Sequence, residues 1–249
     1  MNRLVIAEHF YSIQGEGKLS GSPSIFLRLG GCNLNCGSNL NSTWICDTVQ
    51  VWTKDKSCTI DDLITLFERQ GYLNHLYKGV ALVITGGEPL LQQKGLINFL
   101  TQLELKIINT FKLSSFNLFI EIETNGTILP EIELDKFVYI YNVSPKLKNS
   151  GELDSKRKLN LTEHHKGYDN YKTLCIYKFV INSVNDMKEI EKLIIENKLS
   201  EERIYLMPSG ETKEEIEKIL PLISEICKNK YYKLSTRLHL HIWNKKTGV

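Results

Sequence analysis

No stretch of this 249-residue chain approaches the ~20 consecutive apolar residues that a membrane span needs, and its first apolar run, Leu4 to Ala7, is broken at once by Glu8 and His9. A soluble, cytoplasmic protein without a membrane partner is expected. Neither sign of charge is in excess, since 31 Lys and Arg stand against 29 Asp and Glu for a net charge of +2. That balance gives a polyanion such as nucleic acid nothing to hold and leaves a small molecule as the default ligand. There is no repeat of fixed period and no low-complexity tract, which excludes solenoids and disordered linkers. With 42% hydrophobic and 24% charged residues the chain has enough apolar material for one large core, so a single domain over 1–249 is expected.

Cysteine is also scarce, six in all, yet three of the six fall in one stretch, CNLNCGSNLNSTWICDT, at Cys32, Cys36 and Cys46. Without an export signal, thiols this close hold a metal or a cluster rather than a disulfide framework. A structural zinc closes its tetrahedron with four ligands, and a histidine such as His9 could be the fourth. Three thiolates on a four-iron, four-sulfur cluster leave one iron free for chemistry. Unligated thiols are the third reading, and the spacing leaves all three open. Cys32 and Cys36 fit one tight loop. Cys46 returns over a nine-residue excursion, Gly37 to Ile45, whose Gly, Ser and Asn residues let it turn back. Cys58, Cys175 and Cys227 lie far apart and read as small hydrophobes.

The rest of the chain alternates strands and helices. Strands are expected over Arg3 to Phe10, Ser24 to Leu29, Val80 to Thr85, Asn117 to Thr124, Phe137 to Ser144, Thr173 to Ile181 and Arg203 to Met207. Thr59 can cap a helix to about Gln70, another follows from Leu90 to Leu105, and Ser183 can cap a third. Pro221 should kink the last helix or split it. Lys146 to Tyr171, with His164 and His165, reads mostly as a solvated segment. Leu238, Leu240 and Ile242 alternate with Arg237, His239, His241 and Trp243, as in a closing strand with one core face. About six to seven strands with fewer helices point to an α/β fold with a parallel sheet, forming a partial, open barrel whose chemistry sits at the C-terminal strand ends. Cys32, Gly86, Thr124, Ser144 and Pro208 all fall there.

Seven motifs in order, SIQGEG, RLGGCNLNC, CDT, TGGEPLL, ETNGT, SPK and HLHIW, resemble the radical S-adenosylmethionine superfamily. Within it they resemble the branch that contracts 6-carboxy-5,6,7,8-tetrahydropterin to 7-carboxy-7-deazaguanine with loss of ammonia, on the route to queuosine-type bases. The resemblance implies a radical SAM barrel with Cys32, Cys36 and Cys46 on a 4Fe-4S cluster, the cluster loop spanning 32–46. It implies that the free iron chelates S-adenosylmethionine, with Gly86 and Gly87 letting backbone approach its amino group, and with Glu88, Glu123 and Ser144 in polar contact. Gln14 and Glu16 would read the amide and amine edge of the pterin, Arg28 would clamp its carboxylate, and His239 would add a hydrogen bond. Thr48 matches a threonine that ligates magnesium. A homodimer and an electron donor such as flavodoxin or ferredoxin are implied as well. Plainer readings stand beside these: a strand-to-helix turn for the glycines, a surface ion pair for Glu16 and Arg28, and a turn cap for Thr48.

The chain departs from the branch in one place. Close members set the last two cysteines two residues apart, where this chain inserts Gly37 to Ile45, read here as a cover over the cluster because Asn and Ser are poor iron ligands beside thiolates. Two alternatives remain, an activase of a glycyl radical enzyme and a zinc-stabilised module without catalysis. SIQGEG and HLHIW argue against the first, and GGEP with ETNGT against the second.

Overall fold

In the computed structural model, residues 2–38, 42–44, 46, 56–162, 173–244 and 246 are described. Their strands are β1 (Arg3–Ile13), β2 (Pro23–Leu29), β3 (Lys56–Thr59), β4 (Ala81–Gly86), β5 (Ile120–Thr124), β6 (Val138–Val143), β7 (Leu174–Ile181), β8 (Ile204–Pro208) and β9 (Lys233–Leu234). They form one open sheet in the order β3-β1-β2-β4-β5-β6-β7-β8-β9. β1 runs antiparallel to both of its neighbours, and from β2 onward every pairing is parallel. The sheet therefore has nine strands where six or seven were expected. The two extra ones are edges of four and two residues, too short to show a period in sequence and made only by pairing with β1 and β8.

Alternation along the middle strands sorts side chains into two environments. In β5 to β7, Ile120, Ile122, Tyr141, Val143, Cys175, Tyr177 and Phe179 join the main core. Their alternates Glu121, Asn142 and Lys178 are also buried, as are Ile140 and Ile176, which with Tyr205 form a small second cluster. The concave side of the sheet is thus largely polar, and the helices cover the other side.

Helix α1 (Ile60–Arg69) starts where Thr59 accepts the Asp62 amide at 3.1 Å, a cap worth about 1 kcal/mol. It buries Ile60, Leu63 and Phe67, at roughly 1.5–3 kcal/mol for each large apolar side chain. A short helix, α2 (Tyr72–Tyr77), and α3 (Gln93–Phe111) complete this layer, with Phe67 edge-on to Phe99 at 5.2 Å between ring centroids. After α4 (Ile132–Asp135) come α5 (Asp186–Glu196), α6 (Lys213–Lys230) and α7 (Leu238–Trp243). Among the described residues no helix is long and apolar enough to cross a membrane.

Four expectations need correction. The start of α5 is fixed by Asp186, whose carboxylate accepts the amides of Asn182 and Ser183 at 2.8 and 3.0 Å, rather than by a Ser183 cap. Pro221 lies inside one continuous α6, so of the kink or division expected there the division does not occur, and the helix forgoes a single backbone bond. The alternation at Leu238 to Trp243 belongs to α7 and not to a strand. There the Leu238 amide turns to the Gly15 carbonyl at 2.9 Å, and β9 pairs with β8 only at Lys233 and Leu234. Residues 146–162 are more docked than expected, since Leu147, Leu159 and Leu161 are buried and Arg157 pairs with Glu189 at 2.9 Å, while 153–156 are exposed as expected. His164 and His165 lie outside the described residues.

Candidate active site at the carboxyl ends of the strands

The β2 end delivers Cys32. The Leu34 amide points at its sulfur at 3.4 Å, and the Cys46 amide reaches the Cys36 carbonyl at 3.4 Å, which brings the third cysteine back beside the second. Burial pushes the Cys32 thiol up to about 11 and raises Cys36 as well; Lys146 opposes both shifts, while Cys36 and Cys46 each raise a neighbour by repulsion. Three thiolates can share this place only with cations among them, which iron supplies. Among the described residues no three His, Cys, Asp or Glu side chains converge as a single metal ion would require. A cluster takes each thiolate on a different iron, so the donor set fits it. The loop rests on the segment after β6: Asn35 donates its amide to Glu152, Gly37 to the Ser150 carbonyl at 2.9 Å, and Thr43 to the Asn149 carbonyl at 2.9 Å. Residues 39–41 and 45 of the excursion lie outside the described residues, as does Thr48.

Next to Cys32 stands the β4 turn. A Cβ on Gly86 would lie 2.1 Å from the Leu29 carbonyl oxygen, and one on Gly87 1.9 Å from that of Gly31. These glycines are therefore required by the backbone entering the cysteine loop, whatever ligand they also meet. Glu88 is fully buried. One oxygen accepts from Leu90 N at 3.0 Å and Thr124 Oγ1 at 2.8 Å, and the other from Asn125 N at 2.7 Å. Burial nonetheless raises its pKa, against these bonds. Glu88 thus ties the β4 turn to the β5 end. Ser144 continues the row, its amide on the Thr124 carbonyl at 2.7 Å and its hydroxyl accepting from Lys146 Nζ at 2.9 Å.

The concave wall carries the remaining candidates. Glu123 accepts from Thr85 Oγ1 at 2.7 Å and Gln14 Nε2 at 3.2 Å. Gln14, only 2% exposed, accepts the Glu16 amide on its Oε1 at 3.2 Å, so its amide group is engaged at both ends. Glu16 binds Lys178 through one oxygen and Arg237 through the other, the latter at 3.0 Å. Burial opposes its charge, but Lys178, Arg237 and His239 outweigh burial and hold the carboxyl well below the usual range. His239 packs on the same lip, where a Cβ on Gly15 would lie 2.2 Å from its Nδ1, and Gly17 N donates to Ser235 Oγ at 2.9 Å. The first loop is so bound to the C-terminal segment. Arg28 donates Nε to Glu8 at 2.9 Å across the β1–β2 pairing, with side chains 16% and 29% exposed. This pair is half-buried, and its guanidinium is oriented from the Nε side.

Glu121, Asn142, Lys178 and Arg237 were not singled out from sequence. Glu121 takes bonds from Asn142 Nδ2 at 3.0 Å and Gln14 Nε2 at 3.4 Å; burial first and Glu123 second push it up to about 7. A charged residue inside an apolar strand was the available signal, in IEIET for Glu121 and in LCIYKFVI for Lys178.

Residues 13–142 match a family model described as a 4Fe-4S single cluster domain. The 7-carboxy-7-deazaguanine synthase of Halobacterium salinarum is 31% identical, over 97% of this chain and 91% of that protein. The one from Clostridium acetobutylicum is 33% identical over 98% of both. The crystal structure of QueE from Escherichia coli superposes with a TM-score of 0.65 at 24% identity, over 95% of each chain, and shares the fold. By its cysteine loop, its open sheet and these relatives, the chain belongs to the 7-carboxy-7-deazaguanine synthase family of radical S-adenosylmethionine enzymes.

Proposed function

We propose that this chain converts 6-carboxy-5,6,7,8-tetrahydropterin to 7-carboxy-7-deazaguanine with loss of ammonia, in 7-deazapurine biosynthesis. The observation that carries the reading is that the cysteine loop, the GGEP turn and a charged concave wall meet at neighbouring strand ends in a member of this family. The relatives favour neither the activase nor the zinc-module alternative. Bound 4Fe-4S cluster and S-adenosylmethionine supply the one-electron chemistry that generates the initiating radical.

The chain's own residues position and enclose. Cys32, Cys36 and Cys46 hold the cluster. Backbone at Gly86 and Gly87, with Glu123 and Ser144, meets S-adenosylmethionine, and Glu88 contributes by tying their two strand ends together. On the substrate side, Arg28 faces the pterin carboxylate, while Gln14, Glu16 and His239 form the lip along its ring edge. A carboxylate buried unpaired would cost several kcal/mol, which demands a cation such as Arg28. Magnesium held by Thr48 would add a second positive centre with oxygen ligands. We extend the reading to one domain over 1–249, a homodimer, a flavodoxin or ferredoxin as electron donor, and a cytoplasmic setting.

The test is anaerobic reconstitution with iron and sulfide, followed by reductant, S-adenosylmethionine and the pterin. Formation of 7-carboxy-7-deazaguanine, identified by mass, is expected. S-adenosylmethionine cleavage with the pterin left unchanged would overturn the substrate assignment.

A further inference from the structure

The excursion between Cys36 and Cys46 poses a physical problem. Ordering a nine-residue connection costs more conformational entropy than ordering a two-residue one, and that entropy bears directly on how firmly Cys46 is presented. The structure shows where the excursion is fastened. Asn149 receives two bonds from consecutive residues just ahead of Cys46: its carbonyl takes the Thr43 amide at 2.9 Å, and its Oδ1 takes Trp44 Nε1 at 2.9 Å. Asn182 Nδ2 donates to Thr43 Oγ1 at 2.6 Å, and Lys146 Nζ sits 5.9 Å from the centre of the Trp44 ring, within cation–π range.

The platform is itself braced. Asn149 lies in the 3-10 turn Lys148–Ser150, closed by the Ser150 amide on the Leu147 carbonyl at 2.9 Å. Glu189 accepts the Lys148 amide at 2.9 Å, and Arg157 donates to the Lys146 carbonyl at 2.7 Å and to Glu189 at 2.9 Å. Asn149 Nδ2 is buried with no partner among the described residues. A buried donor left over is unfavourable and calls for an explanation. The indole N–H supplies one, because it must meet an acceptor and so fixes which end of the amide faces Trp44.

We propose that Asn149 and Trp44 are positioning residues for Cys46: they fasten the excursion two and three residues ahead of the third cluster ligand, at Trp44 and Thr43, and replace the short cysteine spacing as its source of preorganisation. The inference rests on the cluster reading given above. Shells of this kind around metal ligands are worth roughly 10–100-fold in metal affinity, which sets the size of the effect.

The experiment follows iron loss to a chelator from the anaerobically reconstituted full chain, together with the electron paramagnetic resonance spectrum of the reduced protein. Asn149→Leu and Trp44→Phe should release iron roughly 10-fold faster than wild type and broaden the spectrum, with unchanged melting of the iron-free protein. Asn149→Asp keeps the acceptor and should restore retention, while exposed Lys148→Met on the same turn should change nothing. If Asn149→Leu does not fold, Trp44→Phe decides, since it keeps the ring and removes one hydrogen bond. Wild-type retention in Trp44→Phe and in folded Asn149→Leu, with Cys46→Ala losing iron, overturns this inference alone. Full retention in Cys46→Ala overturns the ligand assignment beneath it.

Discussion

Lys178 donates its ammonium to Glu16 across the concave face of the sheet, joining residues 162 positions apart, with side chains only 5% and 14% exposed. Arg237 takes the other oxygen of the same carboxylate. The three tie the first loop to β7 and to the C-terminal segment across the open sheet. Lys178→Met should cost about 3–5 kcal/mol in denaturant unfolding, because it strands a buried carboxylate on one partner. The double variant Lys178→Met, Glu16→Gln should be more stable than that single one. A double variant that is weaker still would show that the pair is not the source of the loss.

Glu121 makes stability depend on pH in the direction opposite to an ordinary salt-bridged carboxylate. Its folded value rises from 4.5 to about 7. Below 4.5 both states are protonated. Between 4.5 and 7 the unfolded chain ionises while the folded one keeps its proton, so this contribution falls as pH rises and is fully lost above 7. At about 1.4 kcal/mol per pH unit the loss is on the order of 3 kcal/mol. Glu121→Gln cannot ionise and should flatten the melting temperature between pH 5 and 8 relative to wild type. Parallel profiles for the two proteins would refute the buried acid.

Two glycines separate crowding from backbone conformation. Gly87→Ala must drive a methyl into the Gly31 carbonyl, displacing the start of the cysteine loop, and should leave little folded protein able to load iron. Gly21 is the converse case: its φ is positive, +90°, but nothing lies within 4 Å of its Cβ position, so Gly21→Ala should cost only about 1–2 kcal/mol. Comparable stability and iron content in the two variants would remove the packing argument.

Charge at the substrate carboxylate gives the last test. Arg28→Lys keeps the sign but loses the planar fork, and should raise KM for the pterin about 10-fold, or ~1.4 kcal/mol, with the cluster intact. Thr48→Ala should move the magnesium dependence of product formation to higher concentration while leaving S-adenosylmethionine cleavage unchanged. Superimposable magnesium titrations for wild type and Thr48→Ala would eliminate the metal role.

Local chemistry was legible in the sequence wherever consecutive residues carry it. The thiols at Cys32, Cys36 and Cys46, the apolar run ending in Gly86 and Gly87, and the strand ends at Thr124 and Ser144 all announce themselves within a few positions, because strand periodicity and turn residues are short-range signals. Tertiary structure decided what depends on partners remote in the chain. β3 and β9 exist only through pairing, and Leu238 to Trp243 is a helix whose first amide is held by the Gly15 carbonyl, far away in the chain. Glu88 proved to be a brace because its three donors come from two strand ends. Lys178 and Arg237 became the partners of Glu16 only when the sheet curved to bring β7 and the C-terminal segment over the first loop. A buried charge is stable only beside its counter-charges, and no local pattern in the chain states which residues those will be.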